Sequence, residues 1–197
     1  MKRNYIGGQW VEGSSAARNI NPSDAADVIG EYAQGDATDT QAAIAAARSA
    51  FPTWSHTTPQ QRFDLLDRIG TTLLARKEEL GELLSREEGK VRKEGIGEVT
   101  RAGHLFKFFA AEALRTGGEL TPSVRAGVAV EITREPLGLI GLITPWNFPM
   151  AIPAWKVAPA LAYGNCVVLK PADLVPACAH ALAEIIAESG TPAGSLT

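Results

Sequence analysis

Residues Gly138 to Lys170 read GLIGLITPWNFPMAIPAWKVAPALAYGNCVVLK, and they restrict the fold more than any other stretch. Leu139, Ile140, Leu142 and Ile143 form a short apolar run bounded by Gly138 and Pro145, which has the length and flanks of a buried strand. Val167, Val168 and Leu169 form a second run, entered through the turn pair Gly164–Asn165 and closed by Lys170–Pro171. The linker of roughly 20 residues is apolar and helix-like, so the two strands are expected to run parallel, since parallel strands need a long crossover. Ligands of open α/β sheets lie beyond the carboxyl ends of the strands. Trp146–Asn147 and Lys170–Asp173 therefore fall on one rim, where a ligand would lie.

With 197 residues, 45% of them apolar and 21% charged, the chain has the make-up of a globular domain with ample core material. A net charge of −3, with no clustered Lys/Arg stripe, argues against nucleic acid. Two cysteines, Cys166 and Cys178, make no disulfide framework and fit a reducing, cytoplasmic setting. Lys2 and Arg3 are followed by YIGGQW instead of an apolar signal core, so export is not expected. The apolar stretch Leu139–Ala162 is interrupted by Pro145, Asn147, Pro149, Pro153, Lys156 and Pro159, which argues against a membrane span.

Taken in order, NYIGGQWV reads as a hairpin around Gly7–Gly8, with Trp10 as a packing residue. Asn21–Pro22 opens a turn, and Val28–Ile29 with Tyr32 reads as another short strand; together these make a small β cap. A helix starts near Asp36–Asp39 and is expected to stop at Pro52. Thr58 as N-cap and Pro59 at the first helical position open one longer helix, with Phe63, Leu66, Ile69, Leu73, Leu74, Leu80, Leu83 and Leu84 at helical spacing. The charge run Arg86–Lys93 reads as a solvated helix end. A third helix spans about Val91 to Arg115, and its Gly95, Gly97 and Gly103 suggest close helix packing at the cost of propensity. After Gly117–Gly118, Val128, Val130 and Ile132 alternate with polar or small residues, as in a half-buried edge strand. A helix from about Pro176 to Ser189, with Glu184 and Glu188 as solvating side chains, ends at Gly190. The turn Thr191–Gly194 leads into a strand that would begin as the chain stops, which reads as truncation.

Asn147 is the sharpest chemical candidate. A carboxamide flanked by Pro145 and Pro149 at a strand end can aim its N–H at a developing alkoxide, as an oxyanion hole requires; the alternative is a turn asparagine that bonds backbone. Lys170, at the other strand's end, could reach ribose hydroxyls or a phosphate. Cys166, inside an apolar strand, and Cys178, with His180 two residues on and facing away, read as packing thiols. Neither GxxxxGK[ST] nor GxGxxG occurs, and His56, His104 and His180 are scattered, so no metal site is expected.

The segments PLGLIGLITPWNFP, WKVAPALAYGN and VVLKPA, in that order, together with YIGGQWVEG and NPSDAADVIG earlier, resemble the aldehyde dehydrogenase superfamily over nearly the whole chain. The wording of KPADLVPACAHALAEIIAESGTPAG leans toward the branch oxidising α-ketoglutaric semialdehyde. The resemblance implies an α/β fold: a Rossmann-like parallel sheet flanked by helices, with an amino-terminal helical half and a projecting β-strand, incomplete relative to the family fold. Residues 1–120 and 137–197 would form part of the NAD(P)-binding domain, and 121–136 the projecting strand of the oligomerisation region. The catalytic domain, with its nucleophilic cysteine and general-base glutamate, would be absent.

By the same resemblance Asn147 is the catalytic oxyanion donor. Ile143, Thr144, Pro145 and Trp146 line the nicotinamide side, while Lys170, Pro171, Ala172 and Asp173 face the adenosine ribose. Lys156 would neighbour a proton relay or else form an ion pair. Asp173 stands where relatives often carry Glu; its charge would repel a 2′-phosphate, so NAD is preferred to NADP. The implied protein is a cytoplasmic homo-oligomer, dimer or tetramer, oxidising a small aldehyde. The other readings are a truncated, inactive nucleotide-binding fragment and an assembly module.

Overall fold

The computed structural model describes residues 1–197. The amino-terminal cap is two antiparallel pairs. Strands β1 (Asn4–Ile6) and β2 (Gln9–Val11) form the expected hairpin. Gly7 and Gly8 turn it at φ of 59° and 85°, a region closed to most side chains. Strand β3 (Ser15–Ile20) pairs with β4 (Val28–Gln34) and bulges between Asn19 and Ile20. The sequence SAARNI gave β3 no apolar alternation, because within it only Asn19 is fully buried.

Helix α1 (Ala37–Ser55) begins with a reciprocal cap: Asp36 Oδ1 accepts from the N–H groups of Thr38 (2.7 Å) and Asp39 (3.1 Å), and Asp39 Oδ2 accepts from that of Asp36 (3.0 Å). It does not stop at Pro52. The proline removes one intrahelical bond, and the last turn is held by Trp54, which is 2% exposed in the core. The single long helix expected after Thr58 is two, α2 (Pro59–Ala75) and α3 (Lys77–Glu88), broken at Arg76, which chelates the Glu79 carboxylate. The break re-aims Leu80 and Leu84 into the same core that Leu66, Ile69 and Leu73 fill.

Helix α4 (Arg92–Ala113) crosses α2 and α3 at close range. An added Cβ on Gly95 would lie 2.5 Å from Gly81 O, and one on Gly103 2.7 Å from Leu74 Cγ, whereas Gly97 faces open space. Phe106 on α4 is fully buried; such a side chain contributes about 1.5–3 kcal/mol by leaving water.

Strands β5 (Glu119–Pro122) and β6 (Ala129–Ile132) form a hairpin whose strand residues are all exposed. This corrects the expected half-buried strand: the valines at 128 and 130 alternate, but no part of this chain covers either face. Strand β7 (Leu139–Ile143) runs parallel to β8 (Cys166–Lys170), joined by helix α5 (Ala151–Ala162). Helices α1 and α5 both pack on this pair. Helix α6 (Pro176–Glu188) packs on α3, and Gly190 (φ 85°) follows its end. Residues 195–197 lie beside β8 in parallel: Val167 N–H donates to Ser195 O (2.9 Å) and Leu169 N–H to Thr197 O (2.8 Å). No helix is long and apolar enough to cross a membrane.

Candidate functional site at the strand ends

The parallel register sets Ile143 opposite Lys170, so the loops that follow both strands leave the sheet on the same rim. Thr144 N–H donates to Lys170 O at 3.2 Å, closing the pair at that end. From there Ile143 stands 85% exposed and Trp146 54% exposed, while Thr144 turns inward and its buried hydroxyl has no hydrogen-bond partner. Trp146 is thus no core residue. Pro145 and Pro149 restrict the loop between them, since proline fixes its own φ and keeps the preceding residue extended.

Asn147 sits in this loop with its side chain exposed. Its carboxamide makes no hydrogen bond within the chain, and only its main-chain oxygen is engaged, by Lys90 Nζ at 3.1 Å. A turn asparagine bonding its own backbone is therefore not what the sequence built here. The amide is held by its main chain and left free at its tip, the arrangement a donor to an external oxygen needs.

Lys90 reaches this loop from the α3–α4 junction. Its Nζ also pairs with Glu98 Oε2 (2.9 Å) and Glu88 Oε2 (2.8 Å) and lies 4.2 Å from the centre of the Phe148 ring. Glu98 Oε1 accepts from the N–H groups of Met150 (2.9 Å) and Ala151 (3.1 Å), the first turn of α5. Helix α5 has no side-chain cap of its own, so Glu98 supplies both hydrogen bonds and the negative charge its amino end favours. Burial opposes the Lys90 ammonium, yet Glu88 and Glu98 outweigh it and hold its pKa above the usual value. Burial raises that of Glu88, with Lys90 pulling the other way.

The expected solvated charge run is thereby corrected: Glu87 is 3% exposed, and the side chains of Glu88 and Lys90 only 10% and 14%. The signal was present at Glu98, which shares the helical spacing i, i+4, i+8 with buried Ala102 and Phe106. A carboxylate on an apolar stripe has to have partners.

On the other strand, Lys170 Nζ pairs with Asp173 Oδ1 at 2.6 Å, both side chains being well exposed. Pro171 and Ala172 are half-buried between them. The helix that follows, α6, is capped from α3: Glu87 accepts from the N–H groups of Ala177 and Cys178 and from Asn19 Nδ2. Burial pushes the Glu87 carboxyl up, and these hydrogen bonds oppose the shift.

Neither cysteine is poised to react. Burial pushes the Cys166 thiol up to about 11, and Cys178 well above its usual value, with the Glu87 charge adding to the second shift. His180 stacks on Trp10, 4.7 Å between ring centres, and its Nδ1 lies 3.4 Å from Glu184 Oε1. Glu184 does more than face solvent, since it also pairs with Lys2 at 3.1 Å. Lys156 is exposed on α5 with no carboxylate partner, so the expected ion pair is not formed.

The model of the aldehyde dehydrogenase family matches residues 10–197. The α-ketoglutarate semialdehyde dehydrogenase of Haloferax volcanii is 41% identical over 98% of this chain and 41% of its own length. The crystal structure of an aldehyde dehydrogenase from Brucella melitensis biovar abortus superposes with a TM-score of 0.97 at 32% identity, over 100% of this chain and 41% of that one. Betaine aldehyde dehydrogenase from Staphylococcus aureus, solved in complex with NAD+, superposes with a TM-score of 0.95 at 34% identity, over 99% of this chain and 40% of that one. The chain thus spans about two fifths of the length of the relatives it matches. On sequence and fold alike, it belongs to the aldehyde dehydrogenase family and corresponds to the amino-terminal portion of its members.

Proposed function

We propose that this chain provides the oxyanion donor and part of the cofactor site of an NAD(P)-dependent aldehyde dehydrogenase that converts an aldehyde to a carboxylic acid. The observation that carries the reading is the Asn147 carboxamide, unengaged at its tip and fixed through its main chain, on the rim it shares with Lys170. Asn147 would donate to the substrate oxygen as negative charge develops there.

The residues of the rim fit a dinucleotide. Ile143, Pro145 and Trp146 offer an apolar ledge, and Lys170 offers a cation whose only tie is an exposed pair with Asp173. Such pairs contribute at most about 1 kcal/mol, so a ribose hydroxyl or phosphate can displace it. Pro171 and Ala172 shape the floor between them, and the unpartnered Thr144 hydroxyl borders the ledge. When bound, the nicotinamide would accept the hydride that leaves the substrate. Asp173 disfavours a 2′-phosphate, which supports NAD over NADP.

Likeness to the Haloferax volcanii enzyme supports a semialdehyde as substrate. Residues 1–120 and 137–197 would belong to the cofactor domain and 121–136 to an arm for assembly into a cytoplasmic homo-oligomer. With both thiols buried and held in the neutral form, neither Cys166 nor Cys178 suits the role of nucleophile, and in this reading the nucleophilic cysteine and the general base are assigned to residues outside 1–197. The test is reduction of NAD+ by protein expressed from its complete reading frame, supplied with α-ketoglutaric semialdehyde. Residues 1–197 alone should bind the cofactor weakly and turn over nothing; aldehyde oxidation by that piece would refute the assignment of roles.

A further inference from the structure

We infer that Lys90, seated on Glu98, is the positioning residue of the Asn147 loop: the pair sets where the oxyanion donor points. The inference rests on the reading of Asn147 given above and adds two residues to it. The segment Trp146–Ala151 is short of internal support. Pro149 has no N–H to give, α5 begins without a side-chain cap, and Asn147 bonds no neighbour through its amide. Instead, the segment is tied from outside. Lys90 Nζ donates to Asn147 O and covers the Phe148 ring, and Glu98 Oε1 takes the N–H groups of Met150 and Ala151.

The two ties are one device, because Lys90 Nζ also bonds Glu98 Oε2 at 2.9 Å. Asn147 O, Lys90, Glu98 and the first turn of α5 form a closed circuit of hydrogen bonds around the loop. Lys90 hydrogen-bonds Glu98 and Asn147 O, and its charge is further balanced by the ion pair with Glu88 at 2.8 Å. Lysine suits this position: a compact ammonium at the end of a flexible stem can turn its donors to Glu98 and Asn147 O while facing the Phe148 ring, whereas a guanidinium is larger and fixes its donors in one plane.

A core ion cluster with no link to the site would explain Glu88–Lys90–Glu98, but not the bond to Asn147 O or the ring contact with Phe148. Lys90 acts through another residue and is a positioning residue, its ammonium being taken up by Glu98, Glu88 and Asn147 O. Its role is to hold the peptide from which the donor projects, and small displacements of such a donor are costly to rate.

The experiment is amide hydrogen exchange, read by peptide, on protein expressed from its complete reading frame. In Lys90→Met, residues 146–151 should exchange about tenfold faster or more, with peptides of α2 and α6 unchanged. Equal exchange in 146–151 would overturn the inference. Should Lys90→Met unfold through its unpaired carboxylates, Lys90→Met/Glu88→Gln restores the charge balance and leaves Glu98 capping α5. That double variant should loosen 146–151 alone; loss of protection in α2 as well would make Lys90 a mere core support and overturn it too.

Kinetics on the folded variants separate this from the reading beneath it. Lys90→Met, or the double variant, should lower kcat about tenfold or more with the aldehyde KM little changed, and Lys90→Arg should recover only part. If Asn147→Ala leaves kcat intact, the oxyanion reading fails, while the exchange result still decides whether Lys90 orders the loop.

Discussion

Thr144 N–H donates to Lys170 O at 3.2 Å, one step beyond the register pair Ile143 and Lys170, so the β7 and β8 chains part company at the same height. Lys170 Nζ then bridges to Asp173 Oδ1 at 2.6 Å instead of pointing freely to solvent. If this pair faces the ribose, Lys170→Ala should weaken NAD+ binding by about 10-fold or more, the loss typical of a hydrogen bond to a charged group. Asp173→Asn should raise the affinity for NADP+ relative to NAD+ by removing a negative charge. Titration of both cofactors against both variants checks the two statements together, and unchanged affinities would place the ribose elsewhere.

The α3–α4 contact offers a matched pair of substitutions on one helix. Gly95→Ala drives a methyl group to 2.5 Å from Gly81 O, so it should destabilise the protein by about 1–3 kcal/mol through overpacking. Gly97→Ala meets nothing within 4 Å. It should stabilise by about 0.5–1 kcal/mol, the ordinary gain of alanine over glycine inside a helix. Urea midpoints of the two variants should therefore move in opposite directions.

Acid should loosen the cap at a predictable point. Hydrogen bonds from Arg86 and Asn21 lower the pKa of Asp27 to about 2. A carboxylate with a depressed folded-state value stabilises the fold above its unfolded value, and that contribution is lost as pH falls through the folded one. The Asp27–Arg86 link should be complete above about pH 4 and fade toward pH 2. Denaturant midpoints followed over that window should fall more steeply for the parent than for Asp27→Asn.

The β5–β6 arm exposes Val130 and Ile132 on an isolated two-stranded ribbon. Two strands alone are marginal in water, and an uncovered apolar face invites a partner. In the proposed oligomer the arm is the docking element, so Val130→Lys/Ile132→Lys should lower the mass in solution toward that of a single chain while leaving the circular dichroism of the helices intact. An unchanged mass would remove the arm from the interface.

What could be read from the sequence was local. The parallel β7–α5–β8 unit was legible because two apolar runs, their turn residues and the linker length all said the same thing. Helix α1's passage through Pro52 was not, since the burial of Trp54 that outweighs the missing bond is a tertiary fact. Strand β3 was silent for a similar reason: its pairing with β4, not its side chains, makes it a strand. At the site, Asn147 stood out between its prolines, but Lys90 was hidden inside a charge run. Charge runs are usually solvated, and only the fold brings residue 90 beside residue 147.

All of this converges on the Asn147 side chain. The decisive measurement is kcat for aldehyde oxidation by Asn147→Ala and Asn147→Asp in the protein expressed from its complete reading frame, with NAD+ affinity recorded alongside. An oxyanion donor here means a fall of about 10²–10³ in kcat in Asn147→Ala, a comparable or larger fall in Asn147→Asp, and cofactor binding within a fewfold of the parent. Parent-like kcat in a folded Asn147→Ala would show that no oxyanion is stabilised at this rim.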